Sequence, residues 1–461
     1  MHATWESSKM GSDTDLEIID RASIRQQIDG AISEIVHWFQ DVWTAEGRLP
    51  PFELTNAGKP VGKMTLLTDL ADYLPMLYLA GAHDYVKQQA DTAIHAFQRK
   101  HVIYTPRARR GLFRFWLRSN PFYSSDFLFG LVLLLQLDNA TVGAEQLQAI
   151  AHRIIRTYSR DGWLSKEVVY PFRWRLPITE SDSLLFVEIF AEISNITGNE
   201  DFRSCARVLL KRWLNHHYTR TWGLVPQFAI LSPIWQDIPR FAQREVTACL
   251  YKHNTALLAG LLALYHIEED KEFYKDAIFR TADALSELLI RDDGRVYFQW
   301  VGGSIENRAY GISLGNANII EPLIDIYQAF GRDQDLMVSQ SVAGYWMKLQ
   351  NSETGLVAES PTVPISHMDH QTDFAVNLHR LYSLTNDQMY HNAAIRLMQA
   401  QIVFHRTPHG YINVVLSDTG EAVDSRIETR YTSLFLKILI LVKMGRNAWA
   451  TPMIRKVMSD R

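Results

Sequence analysis

The stretch PITESDSLLFVEIFAEISNITGNEDF, residues 177–202, begins with Glu180 and Asp182 among hydroxyl side chains, then runs apolar and halts at a Gly-Asn pair. Its apolar part, about four helical turns long, has hydrophobic residues on nearly every side. Such a helix has no face for water and reads as buried all round. The segment that follows, GNEDFRSCARVLLKRWL, keeps its charges to one side, as a helix between core and solvent does. One buried helix paired with one half-exposed helix is the unit from which an inner ring can be shielded by an outer ring.

The unit recurs. Apolar helices open near Asp69, Asp126, Asp182, His253, Asn316, Asp373 and Arg430, at separations of 57, 56, 71, 63, 57 and 57 residues. After most of them comes a polar turn and an amphipathic partner such as AHDYVKQQADTAIHAF or DKEFYKDAIFRTADALSELL. Glycine turns flanked by β-branched and aromatic residues, RDDGRVYFQW and TPHGYINVV among them, separate the pairs and suit short hairpins. Open helical solenoids of the common types repeat at about 34 to 47 residues. The longer period here predicts closure, with the extra residues placed in loops at one end. Seven hairpins following an N-terminal helix near 23–42 give an all-α fold: an (α/α)7 toroid with short β-hairpins in the loops, the alternative being an (α/α)6 barrel with additions. Residues 1–22 read as a flexible tail and 23–461 as a single barrel domain.

Composition narrows the function. The chain of 461 residues is 47% hydrophobic and 21% charged, proportions that support a large core. A net charge of -4 supplies no global field for nucleic acid. The longest apolar runs, FLFGLVLLLQL and LFLKILILV, are too short or too interrupted to span a bilayer. Two cysteines, Cys205 and Cys249, form neither a disulfide framework nor a zinc site, and a cytoplasmic location is expected. No phosphate-binding loop, dinucleotide fingerprint or nucleophile elbow is present in the sequence.

The tandem hairpins with a Thr197-Gly-Asn-Glu-Asp-Phe202 turn resemble the six- and seven-hairpin (α/α)-barrel glycosidase superfamily. Within it, IETRYTSLFLKILILV, residues 427–442, resembles the last inner helix of class I α-mannosidases, which have seven hairpins. That family's calcium-binding threonine finds no counterpart here, so no metal or cofactor is carried over. The resemblance implies a carbohydrate-active toroid, commonly an inverting hydrolase, with its site in the mouth of the inner ring.

Inner-helix starts are where acidic and amide residues gather. If they converge on one funnel, Glu180 and Asp182 face it from the third hairpin, Asp369 and Asp373 from the sixth and Glu428 from the seventh, with Asp69 and Asp126 completing the ring. Inverting hydrolysis needs one carboxylic acid to protonate the leaving oxygen and one carboxylate to activate water, about 6.5 to 9.5 Å apart. Glu180 or Asp182 is the expected acid, and Asp373 or Glu428 the expected base. The plainer reading is that such residues cap helices. Arg173, Trp174, Arg175 and Arg430 are expected to hold substrate, through charged forks and aromatic stacking. The five arginines of TPRARRGLFRFWLR suit an anionic glycan. His253 and Asn254, with Tyr251, suit a different chemistry, that of a uronic-acid lyase or epimerase. Asn316 and His370 complete the expected binding set. A third alternative is a non-catalytic toroid that binds glycan or protein, whose carboxylates would be neutralised by Arg430 or Arg380. The oligomeric state is left open.

Overall fold

A computed structural model describes residues 21–42, 53–55, 57–59, 61, 67–100, 118–119, 121–139, 141–165, 168–169, 174–175, 177–232, 237–302 and 308–445. The proposed tail, residues 1–22, lies outside this set apart from its last two residues, which already belong to the first helix. The principal helices, in chain order, are α1 (Arg21–Val42), α2 (Leu67–Leu79), α3 (His83–Lys100), α4 (Pro121–Leu137), α5 (Ala144–Tyr158), α6 (Leu185–Thr197) and α7 (Glu200–Leu214). They continue as α8 (Thr255–Ile267), α9 (Lys271–Leu289), α10 (Ile320–Phe330), α11 (Asp333–Met347), α12 (Met368–Thr385), α13 (Gln388–Phe404), α14 (Thr429–Leu434) and α15 (Leu436–Met444).

The hairpin turns repeat a local device. Gly198 ends α6 in the left-handed region (φ 69°), and the Asn199 side chain then accepts a hydrogen bond from the backbone N–H of Asp201 to start α7. Gly331 ends α10 in the same way, and Asn386, followed by the capping carboxylate of Asp387, does so between α12 and α13. A left-handed residue reverses the chain, and a short polar side chain satisfies a free N–H of the next helix. The outer helices show the spacing that one apolar face demands: α5 buries Leu147, Ile150, Ala151, Ile154 and Tyr158.

Six consecutive hairpins, α2/α3 to α12/α13, form in sequence order, and α14 with α15 supplies the seventh inner helix. Neighbouring inner helices pack in turn from α2 through α12 to α15, and α14 packs back on α2, which closes the ring. The seventh pair departs from the expected order. Among the described residues, the outer helix that packs on α15 is α1, from the opposite end of the chain. Lys443 pairs with Asp29 at 2.6 Å, and Gln399 on α13 bonds Gln27 at 3.1 Å. Leu54 and Ile427 also pair in a short antiparallel ladder beside α14. The expectation of a closed (α/α) toroid is met, in its seven-hairpin form, with N- and C-terminal segments joined across the seam. The loop hairpins are small antiparallel sheets, such as 247–249 with 297–301 and 308–312. No described helix is long and apolar enough to cross a membrane.

Candidate active site

The inner helices open toward one end of the ring, and their first turns surround a cavity of about 640 Å³. On α12, Asp369, Asp373 and Arg380 all line it. Eleven residues separate the first from the last, so the funnel runs roughly 16 Å along the helix at about 1.5 Å per residue.

Two ion pairs organise its depth. Arg380 is bonded to Asp325 and lies 3.7 Å from Glu321. Lys437 reaches Asp373 at 2.6 Å, and the Asn318 amide donates to the other oxygen of Asp373 at 3.0 Å. Burial alone would favour the neutral acid of Asp373, but Lys437, Asn318 and the charge of His370 outweigh it and hold its pKa below the usual range. Glu321 goes the other way. Burial raises its pKa, with Asp325 and Asp373 adding to the rise, and the pull of Arg380 and Lys437 does not cancel it. The barrel wall surrounds Glu321, yet 45% of its side-chain surface stays open. Glu321 lines the funnel, so the carboxyl is reachable by a ligand.

Nearer the mouth, His370 places Nδ1 at 2.9 and 3.0 Å from the two oxygens of Glu359, and Nε2 at 3.9 Å from Asp369. Asp369 lines the cavity, and its buried Oδ1 finds no hydrogen-bond partner among the described residues. Glu428 stands beside Asp369. Burial first, and then the charges of Asp369 and Glu53, push it up to about 7. Across the mouth, Lys252 lies 3.7 Å from Asp126 and adopts a left-handed conformation (φ 59°), unusual for a residue with a side chain and typical of functional loops.

Of the residues expected from sequence, Asp126, Asp369, Asp373, His370 and Arg430 line this cavity, and Glu428 adjoins it through Asp369. Asn316 reaches the lining, but its amide is used on the carbonyls of Val296 and Gly311. Other expectations are corrected. Glu180 and Asp182 are buried and absent from the lining: Glu180 ends a strand paired with 228–230 and accepts from Gln227 at 3.4 Å. The turn carrying Asp182 is sewn into the wall, with Ser181 bonded to His253 Nδ1 at 2.8 Å and the Trp213 indole donating to Ser183. His253 is thereby a structural histidine outside the lining. Asn254, fully buried, accepts from the Val225 N–H and donates to the carbonyls of Val225 and Cys249. Arg175 spends its guanidinium on the carbonyls of Thr157 and Arg156. Arg173, the Trp174 side chain and the arginine-rich stretch up to residue 117 lie outside the described residues.

The sequence reading missed Glu188, Glu321, Asp325 and Lys437, which all line the cavity. A signal for them existed. Acidic pairs four residues apart, Glu188/Glu192, Glu321/Asp325 and Asp369/Asp373, interrupt inner helices that are otherwise apolar. Residues i and i+4 share one helix face, so a repeated acidic face within a buried helix marks the lumen.

No protein-family model matches the chain, and no curated protein matches it by sequence. Solved structures do match. An α-1,2-mannosidase from Trichoderma reesei superposes with a TM-score of 0.67 at 15% identity, covering 92% of this chain and 93% of that one. A D-mannose isomerase gives 0.59 at 10% identity, over 93% and 100%. An unsaturated glucuronyl hydrolase from a Bacillus species gives 0.55 at 13%, over 92% and 98%. The chain therefore has the fold of the (α/α)-barrel enzymes. At these identities the likeness is one of architecture.

Proposed function

We propose that this chain is a carbohydrate-processing enzyme, and specifically a glycoside hydrolase that inverts configuration with water as nucleophile. The observation that carries the reading is the pair of opposed environments in one cavity: Glu321, whose carboxyl is raised toward the neutral acid, and Asp373, held ionised, with Asp369 one turn before it on the same helix. Titratable groups pushed apart in this way divide the work of acid and base. Glu321 donates its proton to the glycosidic oxygen as the bond from that oxygen to the anomeric carbon breaks. Asp369, through its unpartnered Oδ1, takes a proton from water as the water oxygen bonds to the anomeric carbon. Asp373, held ionised by Lys437, stabilises positive charge developing on the sugar. These roles replace the acid assignment to Glu180 or Asp182, whose side chains do not line the funnel.

A competing isomerase or epimerase must move a proton between substrate carbons and needs an unprotonated base, for which a carboxylate serves as well as a neutral imidazole. Among the described lining residues, the histidine is His370, which is lifted to about 9, so in this reading a lining carboxylate and not the imidazole is the base, and an isomerised sugar formed without cleavage would favour it. The lyase alternative loses its His253 centre. The non-catalytic alternative draws support from Arg380 and Lys437, which neutralise Asp325 and Asp373, but it leaves Glu321 and Asp369 unexplained. A reducing-sugar assay over neutral and anionic oligosaccharides, with anomeric product configuration followed by NMR, tests the proposal. Activity retained in both Glu321→Gln and Asp369→Asn would overturn it.

A further inference from the structure

One buried carboxylate near the site takes no part in the steps above. Glu359 is outside the cavity lining, in the loop of residues 355–365 that packs on the start of α10. Its backbone is fixed on both sides: its carbonyl accepts from the N–H of Leu314, and its N–H donates to the carbonyl of Ile365 at 2.8 Å. Its side chain receives the Ser313 hydroxyl and meets His370 Nδ1 with both oxygens, at 2.9 and 3.0 Å. The opposite side of the imidazole is equally constrained. A Cβ on Gly315 would stand 2.7 Å from His370 Nε2, so only glycine lets the ring lie there.

We propose that Glu359 is the positioning residue of this site, fixing His370 in the cavity wall as a proton-bearing ring whose Nε2 is turned toward Asp369. Three groups converge on His370: Glu359 from the loop, Gly315 from the turn before α10, and Asp369 from its own helix. Asp373 adds charge one turn further along α12, where it is itself bonded to Lys437 on α15 and to Asn318. His367, with its ring 5.5 Å away, and Glu428, beside Asp369, complete the titratable surroundings. Burial pulls the imidazole toward neutrality, but the hydrogen bond to Glu359 and the charges of Asp369, Glu359 and Asp373 outweigh it and lift His370 to about 9. A cation held there sets a positive charge against Asp369, the residue proposed to take a proton from water. The inference rests on the hydrolase reading for this last consequence alone.

The test is a titration of the sixteen histidines in the full chain by NMR, with ring carbons labelled and His370 assigned by the resonance lost in His370→Gln. The wild-type His370 midpoint is expected near 9, and in Glu359→Gln, which keeps shape but removes charge, it is expected to fall by more than one pH unit. A fall of one unit or less overturns the proposal. So does a wild-type midpoint at or below the ordinary 6.5, a measurement that requires no variant to fold. Where glycosidase activity is present, the alkaline limb of kcat/KM moves to lower pH in Glu359→Gln, with kcat affected more than KM. If no glycan is cleaved, the hydrolase reading fails, while the NMR midpoints still decide the role of Glu359.

Discussion

The turn that begins α6, with Glu180 and Asp182, and the turn that begins α12, with Asp369 and Asp373, have the same local character: carboxylates and hydrogen-bonding side chains ahead of an apolar helix. In the folded chain they do different work. The first is tied to its neighbours through Gln227, His253 and Trp213 and does not line the funnel. The second opens on the funnel, with one carboxylate oxygen of Asp369 left unpartnered. A helix start thus tells where acidic groups are tolerated, and the packing of its neighbours decides whether they meet substrate.

The largest expected effect tests this contrast directly. Asp369→Asn and Glu321→Gln each lower kcat/KM by about 10² to 10⁴, the usual contribution of a positioned acid or base, while Glu180→Gln and Asp182→Asn change it by only a few fold. Equal losses at both helix starts would erase the distinction. Next in size is the ion pair deep in the funnel. Arg380→Met strands Asp325 and is expected to destabilise the fold by about 3–5 kcal/mol, read by chemical denaturation; Asp325→Asn in the same background should recover part of the loss. Asn254→Ala probes the wall rather than the funnel. Removing an amide that satisfies three buried backbone groups is expected to cost about 1–3 kcal/mol and to leave KM unchanged. A large rise in KM would return Asn254 to the substrate site. The smallest effect belongs to the seam, where Lys443→Ala loses a half-exposed pair with Asp29 and should shift stability by about 1 kcal/mol or less.

Much of the architecture was legible. Burial all round on one helix and on one face of the next is a local pattern, and its recurrence reported the hairpins before any contact was known. The stop at Gly198-Asn199 was visible as well. The role of α1 was not, because it packs on a helix some four hundred residues further along, and no local pattern encodes such a pairing. In the site, Asp126, Asp369, Asp373, His370 and Arg430, each singled out in the sequence, line the cavity. Glu321, Asp325 and Lys437 were passed over because they lie a turn or more beyond the helix starts read at Asn316 and Arg430, in stretches read as uniformly apolar. His253 and Asn254 lie outside the lining, bonded to Ser181 and to backbone groups of Val225 and Cys249, and a buried polar side chain so used looks the same in sequence as one that serves a ligand.

The chain by itself determined the hairpin repeat, the two kinds of helix and the need for a closed ring, since each follows from the periodicity of residues that avoid or tolerate water. Only the tertiary structure decided which terminus completes the seventh pair, which carboxylates share a cavity and what charge each of them carries. Those properties depend on distances between residues far apart in sequence and on the exclusion of water between them, and both arise only when the ring has closed.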